Sequence, residues 1–99
     1  MTTITIDTAL QRTRKMVARR KGVPLATVVS KTNLRDELLM SDAEISALEV
    51  PIETKDFADV NARVAPSELR KAKTVLGLRG VIWRGVPDEN KSVSDANEK

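Results

Sequence analysis

The chain has 99 residues, a formal net charge of +3 and 31% charged residues, but only one Trp and one Phe. This length fits one domain, and a core of this size gains from a partner subunit. There is no Cys and no His, which excludes disulfides, thiolate zinc sites and the commonest general base. The remaining polar residues form no nucleophile elbow or phosphate-binding glycine loop. We therefore expect no enzyme activity, no cofactor and no metal.

Charge is segregated along the chain. Residues 1–40 carry eight Lys or Arg against three Asp or Glu, and residues 41–60 carry one against six. Residues 61–85 carry six against one, and residues 86–99 carry two against four. Such blocks predict distinct charged surfaces. The acidic block serves helix starts and solvation, or else shields the basic face of a neighbour.

The N-terminal residues 2–6 are β-branched throughout and alternate Thr with Ile. This pattern predicts a short strand with Ile4 and Ile6 on one face and Thr3 and Thr5 on the other. A lone strand must satisfy its backbone groups, so we expect it to pair with a later strand or with a second copy.

A helix is predicted over residues 8–21. Asp7 is a suitable N-cap and Gly22 a suitable stop. The apolar stripe of this helix is thin in the middle, where Thr13 and Arg14 stand. Its basic residues recur at helical spacing and predict a positively charged face.

The rest of the chain is predicted to be mainly helical. Pro24 suits the first turn of a second helix over about residues 24–39. The other predicted elements follow in chain order: a short helix opened by a capping box at Ser41 and Glu44 and ended by Pro51, a helix over 54–64, a helix from Pro66 to a stop at Gly77, and a second strand over 80–86.

These elements predict one small domain over residues 1–85, in which residues 41–85 form a helical extension. Residues 86–99 contain little apolar matter and predict a disordered tail. The start of the sequence lacks a signal-peptide pattern, and no segment is long and apolar enough to span a bilayer. We therefore expect a cytoplasmic protein with no membrane contact.

The order of the N-terminal motifs resembles the ribbon-helix-helix transcriptional repressors. The segments that carry the resemblance are Thr3-Ile-Thr-Ile-Asp7, Lys15-Met-Val-Ala-Arg19 and Gly22-Val-Pro-Leu-Ala-Thr-Val-Val29, within residues 2–39. The resemblance implies a mainly α fold with one or two short strands, in which a ribbon-helix-helix N-terminal half is followed by two or three short helices. It also implies a homodimer whose paired strands enter the major groove of duplex DNA.

The same resemblance implies a set of DNA contacts. Thr3 and Thr5 would meet base edges. Phosphates would be held by residues of the first helix and by the amides that open the second helix, namely Arg12, Lys15, Arg19, Arg20, Lys21, Leu25 and Ala26. The scarcity of aromatic residues disfavours single-stranded partners. The predicted function is a repressor or accessory factor on duplex DNA.

A protein-interaction module is the alternative: an antitoxin, a phage-encoded inhibitor of a host protein or a small assembly subunit, with a partner bound through residues 41–85. The segment Leu78–Gly85 resembles the toxin-binding stretch of some antitoxins, which implies that Trp83 contacts a protein partner. Taken alone, Trp83 is better interpreted as a core anchor. The basic helix face is likewise interpretable as solvated surface, and Thr3 and Thr5 as an ordinary edge strand.

Overall fold

The computed structural model describes residues 3–92 and is mainly helical. Its α-helices are α1 (Ile6–Lys21), α2 (Asp42–Ser46), α3 (Glu49–Pro51), α4 (Pro66–Leu69) and α5 (Val75–Arg84), joined by a π-helical turn at Ile52–Asp56 and by 3₁₀ turns at Leu25–Thr27, Ala58–Val60 and Asp88–Asn90. Within residues 3–92 there is no β-strand, only two isolated bridges. The mainly helical prediction is confirmed, whereas the ribbon-helix-helix fold is wrong, because that fold needs a strand.

The N-terminal segment pairs within its own chain. Ile4 donates its amide to the Asn90 carbonyl at 2.9 Å and accepts from the Ser92 amide at 3.0 Å. Ile6 already begins α1, and Thr5, not Asp7, is the N-cap, its hydroxyl accepting the Thr8 amide. The amide and carbonyl of Ile4, which a ribbon would share with a second copy, are thus used within the chain.

Helix α1 ends as predicted, at Gly22 in the left-handed conformation with φ of 66°. Thr13, the apparent gap in the apolar stripe, is fully buried because its hydroxyl donates to the Ala9 carbonyl at 2.8 Å. Arg14 donates from Nε to the Val28 carbonyl at 2.6 Å. Both polar residues therefore belong to the packed structure, with their donors satisfied by backbone carbonyls.

The second helix predicted over 24–39 is wrong, since the only helical element in this stretch is the 3₁₀ turn Leu25–Thr27. Two polar side chains compete for its amides: the Thr32 hydroxyl accepts from Val29, and the Asn33 side chain accepts from Arg35 and Asp36. Backbone bonds then join this stretch to the start of α5, including Leu34 N–H to Lys73 O at 2.9 Å and Leu76 N–H to Ser30 O at 2.9 Å.

The acidic block, residues 41–60, is called the acidic segment below. It folds as a series of short helical turns. The capping box at Ser41 and Glu44 is confirmed. Pro51 does not end the helical path, because the backbone continues into the π-helical turn Ile52–Asp56. The helix predicted over 54–64 is wrong: the chain turns at Phe57, and Asn61 then adopts a left-handed conformation with φ of 56°.

The strand predicted over 80–86 is also wrong. Residues 80–84 belong to helix α5, which starts after the N-cap Thr74, runs through Gly77 and ends at Arg84 before the C-cap Gly85. The predicted helix stop at Gly77 is wrong for the same reason: the Gly77 amide donates to the Thr74 hydroxyl at 3.1 Å and so belongs to the first turn. Helix α4 opens at Pro66 as predicted but ends at Leu69.

One apolar core holds these elements together. Helix α1 packs on α5, and α2 packs on α4. Phe57, Ile52 and Leu48 of the acidic segment are completely buried in the same core. Val86 and Asn90 are buried as well. The tail predicted from residue 86 is therefore corrected for residues 86–92, which fold onto the body, while its last residues, 93–99, lie outside the described residues.

The close approach of Gly85 to Arg63 gives a test of the packing. A Cβ at Gly85 would overlap the Arg63 carbonyl, whereas a Cβ at Gly80 would lie 3.7 Å from a guanidinium nitrogen of Arg84, an ordinary contact. We expect Gly85→Ala to lower the free energy of unfolding by about 2 kcal/mol or more. Gly80→Ala should raise it by roughly 0.5–1 kcal/mol, because Gly is unfavourable inside a helix. Urea unfolding measures both, and equal effects would contradict the fold.

The N-cap gives a second test. Thr5→Val keeps the shape of the side chain but removes the acceptor for the Thr8 amide, so we expect a loss of about 1 kcal/mol in the free energy of unfolding. Thr3→Val, at an exposed neighbour, should change it by less than about 0.5 kcal/mol. Similar effects of the two substitutions in thermal or urea unfolding would argue against this helix start.

Candidate functional site

The basic residues of α1 meet the acidic segment inside one molecule. The shortest N–O distances are 2.7 Å for Arg12–Asp59, 2.8 Å for Arg19–Asp56 and 3.2 Å for Lys21–Glu44. The charge blocks recognised in the sequence thus neutralise each other across the fold. Of the two roles expected for the acidic block, the structure shows both: it opens α2, and it covers a neighbouring basic face.

Arg12 makes the most extensive of these contacts. Its two terminal nitrogens donate to the two Asp59 carboxylate oxygens at 2.7 and 3.1 Å, and one also donates to the Asp56 carbonyl at 3.1 Å. The guanidinium carbon lies 5.8 Å from the centre of the Phe57 ring. A planar guanidinium suits such a combination of bidentate pairing and aromatic contact. Arg12 therefore fixes the position of the turn at 56–59 against α1.

Two carboxyl groups of this interface have altered acidity. The hydrogen bond from Arg12 is the main reason that the pKa of Asp59 lies below its ordinary value. For Glu44 the pKa is lowered chiefly by the hydrogen bond from the Ser41 amide and then by Lys21. Stabilising the charged form is the common cause.

A surface cleft lies beside these ion pairs. It has a volume of about 370 Å³ and is lined by three cations and three apolar residues: Met16, Arg19, Arg20, Leu48, Pro51 and Lys55. Helix α1 supplies Met16, Arg19 and Arg20, while the segment after α2 supplies the rest. The π-helical turn places Lys55 beside Asp56, whose carboxylate accepts from Arg19 at 2.8 Å. We call this feature the cationic cleft.

The cationic cleft combines a closed floor with a charged rim. Met16 and Leu48 are 1% and 0% exposed, so the floor is well packed and the accessible groups are those of the rim. Arg20 and Lys55 are exposed and form no ion pair with a carboxylate of residues 3–92. Val50, next to Pro51, is 63% exposed. The arrangement suits an anionic group accompanied by a small apolar one.

The residues predicted to read DNA bases lie apart from the cleft and do not share one face. Thr3 is exposed, but Thr5 is only 6% exposed, and its hydroxyl bonds Thr8. Leu25 and Ala26 are exposed, but they belong to a three-residue turn and not to the start of a helix. Residues 3–92 thus contain neither the ribbon nor the helix start from which base contacts by Thr5 and phosphate contacts by the Leu25 and Ala26 amides were predicted.

The predicted phosphate-binding side chains divide into two groups. Arg12, Arg19 and Lys21 are engaged by carboxylates. Lys15 and Arg20 are exposed and are not paired within the described part of the chain. Only Arg19 and Arg20 of the predicted set reach the cationic cleft. Phosphate binding by these side chains stays a prediction.

Trp83, the predicted protein contact, lies partly buried on α5 and packs against the core. The Lys91 ammonium lies 5.2 Å from the centre of its ring. These contacts fit a core anchor that also holds the C-terminal segment in place. A role in binding a partner stays a prediction.

Sequence reasoning missed Lys55 and the apolar lining of the cleft. Lys55 is the one cation of the acidic block, which is a weak signal of a special position. Met16 and Leu48 carry ordinary core patterns. Nothing in the local sequence shows that a π-helical turn brings Lys55 to the end of α1. π-helical turns are rare and recur at functional sites.

The chain matches no protein-family model, no curated protein sequence and no solved structure. No group of three or more metal-ligating side chains occurs within residues 3–92. None of the helices in that range has the length and apolarity needed to cross a membrane. The function must therefore be inferred from the site itself.

The lowered pKa values give a pH prediction. Because both carboxyl groups are more acidic when folded, their pairs stabilise the fold above the ordinary pKa of about 4. That contribution is lost as the pH falls through the lowered folded values. In Arg12→Gln we expect the pKa of Asp59 to rise toward its ordinary value while the pKa of Glu44 stays low. Carboxyl NMR titration measures both pKa values, and an ordinary pKa for Asp59 in the unsubstituted protein would contradict the Arg12–Asp59 pair.

Proposed function

We propose that this chain is a non-enzymatic protein-interaction module whose cationic cleft holds an acidic segment of a partner protein. The observation that carries the proposal is the pair of exposed, unpaired cations Arg20 and Lys55 on the rim of a shaped cleft. Three other basic residues of α1, namely Arg12, Arg19 and Lys21, are paired with internal carboxylates. A compact anionic group bound in the cleft would thus meet two cations that no carboxylate of residues 3–92 already pairs.

The edge of the cleft supports a partner that is also apolar. Val50 is 63% exposed beside Pro51. An acidic segment that carries an aliphatic or aromatic residue would cover Val50 while its carboxylates meet Arg20 and Lys55. Apolar burial supplies affinity in such contacts, and charge supplies orientation and association rate.

The distribution of charge favours this partner over duplex DNA. Tight binding to a duplex uses many phosphate contacts spread over one face. Lys15 and Arg20, the unpaired cations predicted for that role, are five residues apart and project about 140° apart around a helix of 3.6 residues per turn. Asp59 and Asp56 occupy Arg12 and Arg19 of the same helix and add negative charge there. Duplex binding thus becomes an outcome that the experiment must exclude.

Selection from a random 12-residue peptide library on the full-length protein tests the proposal. We expect the enriched peptides to combine Asp or Glu with a neighbouring apolar residue. Replacing both Arg20→Gln and Lys55→Gln should weaken their binding by at least about tenfold, as expected for the loss of two charged contacts. Fluorescence anisotropy of the labelled peptides gives the affinities.

The matched control replaces Lys15→Gln and Arg84→Gln, two exposed cations outside the cleft. It removes the same net charge and should leave peptide affinity within about twofold, because distant exposed charges are screened by salt. Failure to enrich acidic peptides would overturn the proposal, and so would equal losses in both double variants. Random 20-base-pair duplex binding more tightly at the same salt concentration would replace it with DNA binding.

A further inference from the structure

Leu39 is held in an unusual position on the surface. It is 76% exposed, more than the other exposed large apolar residues, and has a φ of 55°, a left-handed conformation that a leucine rarely adopts. Its neighbours explain the geometry: Leu38 packs against the core, and Met40 is buried and bonds the Leu34 carbonyl at 2.9 Å. The chain turns outward between two anchored side chains, and the turn presents Leu39 to solvent.

The surroundings of Leu39 are acidic. Asp36 and Glu37 precede it and are exposed. Asp36 forms no ion pair with a cation of residues 3–92. Glu37 accepts only the Asn33 amide, at 2.8 Å, among the hydrogen bonds of that range. We call Asp36, Glu37 and Leu39 the acidic knob.

A second surface has the opposite charge. Leu25, Val29 and Leu76 are 37%, 47% and 43% exposed, and the Leu76 amide donates to Ser30 at 2.9 Å, which joins the two segments that carry them. Arg14 bonds the carbonyls of Leu25 and Val28 and so fixes the first segment on α1.

Two lysines stand in these same segments. Lys31 and Lys73 are exposed and are not engaged by any carboxylate within residues 3–92. We call Leu25, Val29, Leu76, Lys31 and Lys73 the basic apolar surface. Exposed apolar residues that are grouped and rimmed by charge are typical of interaction sites.

We infer that the occupant of the basic apolar surface is the acidic knob of a second copy of this chain. The two surfaces match in both respects that govern recognition: each offers exposed apolar side chains, and their unpaired charges are opposite. Contact between two knobs, or between two basic apolar surfaces, would bring like charges together. The match therefore pairs the knob with the basic apolar surface. The cationic cleft, with Arg20 and Lys55 on its rim, is the competing site, and the variants below distinguish the two.

Sedimentation velocity over a range of concentrations tests the inference on the full chain. We expect concentration-dependent self-association that weakens as salt rises. Leu39→Asn should weaken association at least tenfold while leaving the thermal unfolding midpoint unchanged or higher, because Asn tolerates the left-handed conformation better than Leu. Leu76→Glu should also weaken association, because it places an acidic residue where the acidic knob docks. A carboxylate in the first turn of α5 is compatible with folding.

Ala65→Asn is the control, since Ala65 is an exposed apolar residue outside both surfaces and outside the cationic cleft, at a helix N-cap where Asn is well tolerated. It should leave the association constant within about twofold. A chain that stays monomeric up to millimolar concentration overturns the inference, as does a Leu39→Asn variant that associates like the unsubstituted protein. Loss of association in Arg20→Gln with Lys55→Gln would assign the contact to the cationic cleft instead. The proposed function is tested separately by peptide binding at concentrations where the chain is monomeric.

Discussion

The pairing of helix α1 with the acidic segment is the constraint on which the candidate site depends. Arg12, Arg19 and Lys21 reach carboxylates that are 23 to 47 residues away in the sequence. Such partly exposed pairs contribute little stability each, typically below about 1 kcal/mol. The free energy of folding comes chiefly from apolar burial around Phe57, Leu48 and Ile52. The ion pairs instead orient the acidic segment, and this orientation places Lys55 opposite Arg20.

The sequence predicts the parts of the fold that are decided within a few residues. Helix α1 and its stop at Gly22 follow from local spacing and from the freedom of Gly to adopt a left-handed conformation. The capping box at Ser41 follows from two side chains three residues apart. Where the outcome depends on distant partners, the same reasoning fails. Ile4 looks like a strand residue, yet its partner is the backbone of Asn90 and Ser92.

The stretch 80–86 shows the same limit. Its β-branched residues and flanking glycines favour a strand, but Val81 and Ile82 gain more by packing against the core as part of α5. Charge segregation predicted distinct charged surfaces, but in the structure Arg12, Arg19 and Lys21 meet carboxylates of residues 41–60 within one molecule. The cationic cleft was therefore not predicted, because Arg20 and Lys55 stand out as unpaired cations only when the partners of Arg12 and Lys21 are known. Three surfaces carry the proposals for partner binding: the cationic cleft, the acidic knob and the basic apolar surface.

A double-mutant cycle on Arg12 and Asp59 tests the internal pairing most directly. Arg12→Gln, Asp59→Asn and the combined variant are compared with the unsubstituted protein by urea unfolding near neutral pH. The structure predicts a coupling free energy of about 0.5–1 kcal/mol. Each single substitution already removes the bidentate pair, so the combined variant loses less than the sum of the two single effects. Strictly additive effects would contradict it, since they would mean that Arg12 and Asp59 do not interact in solution.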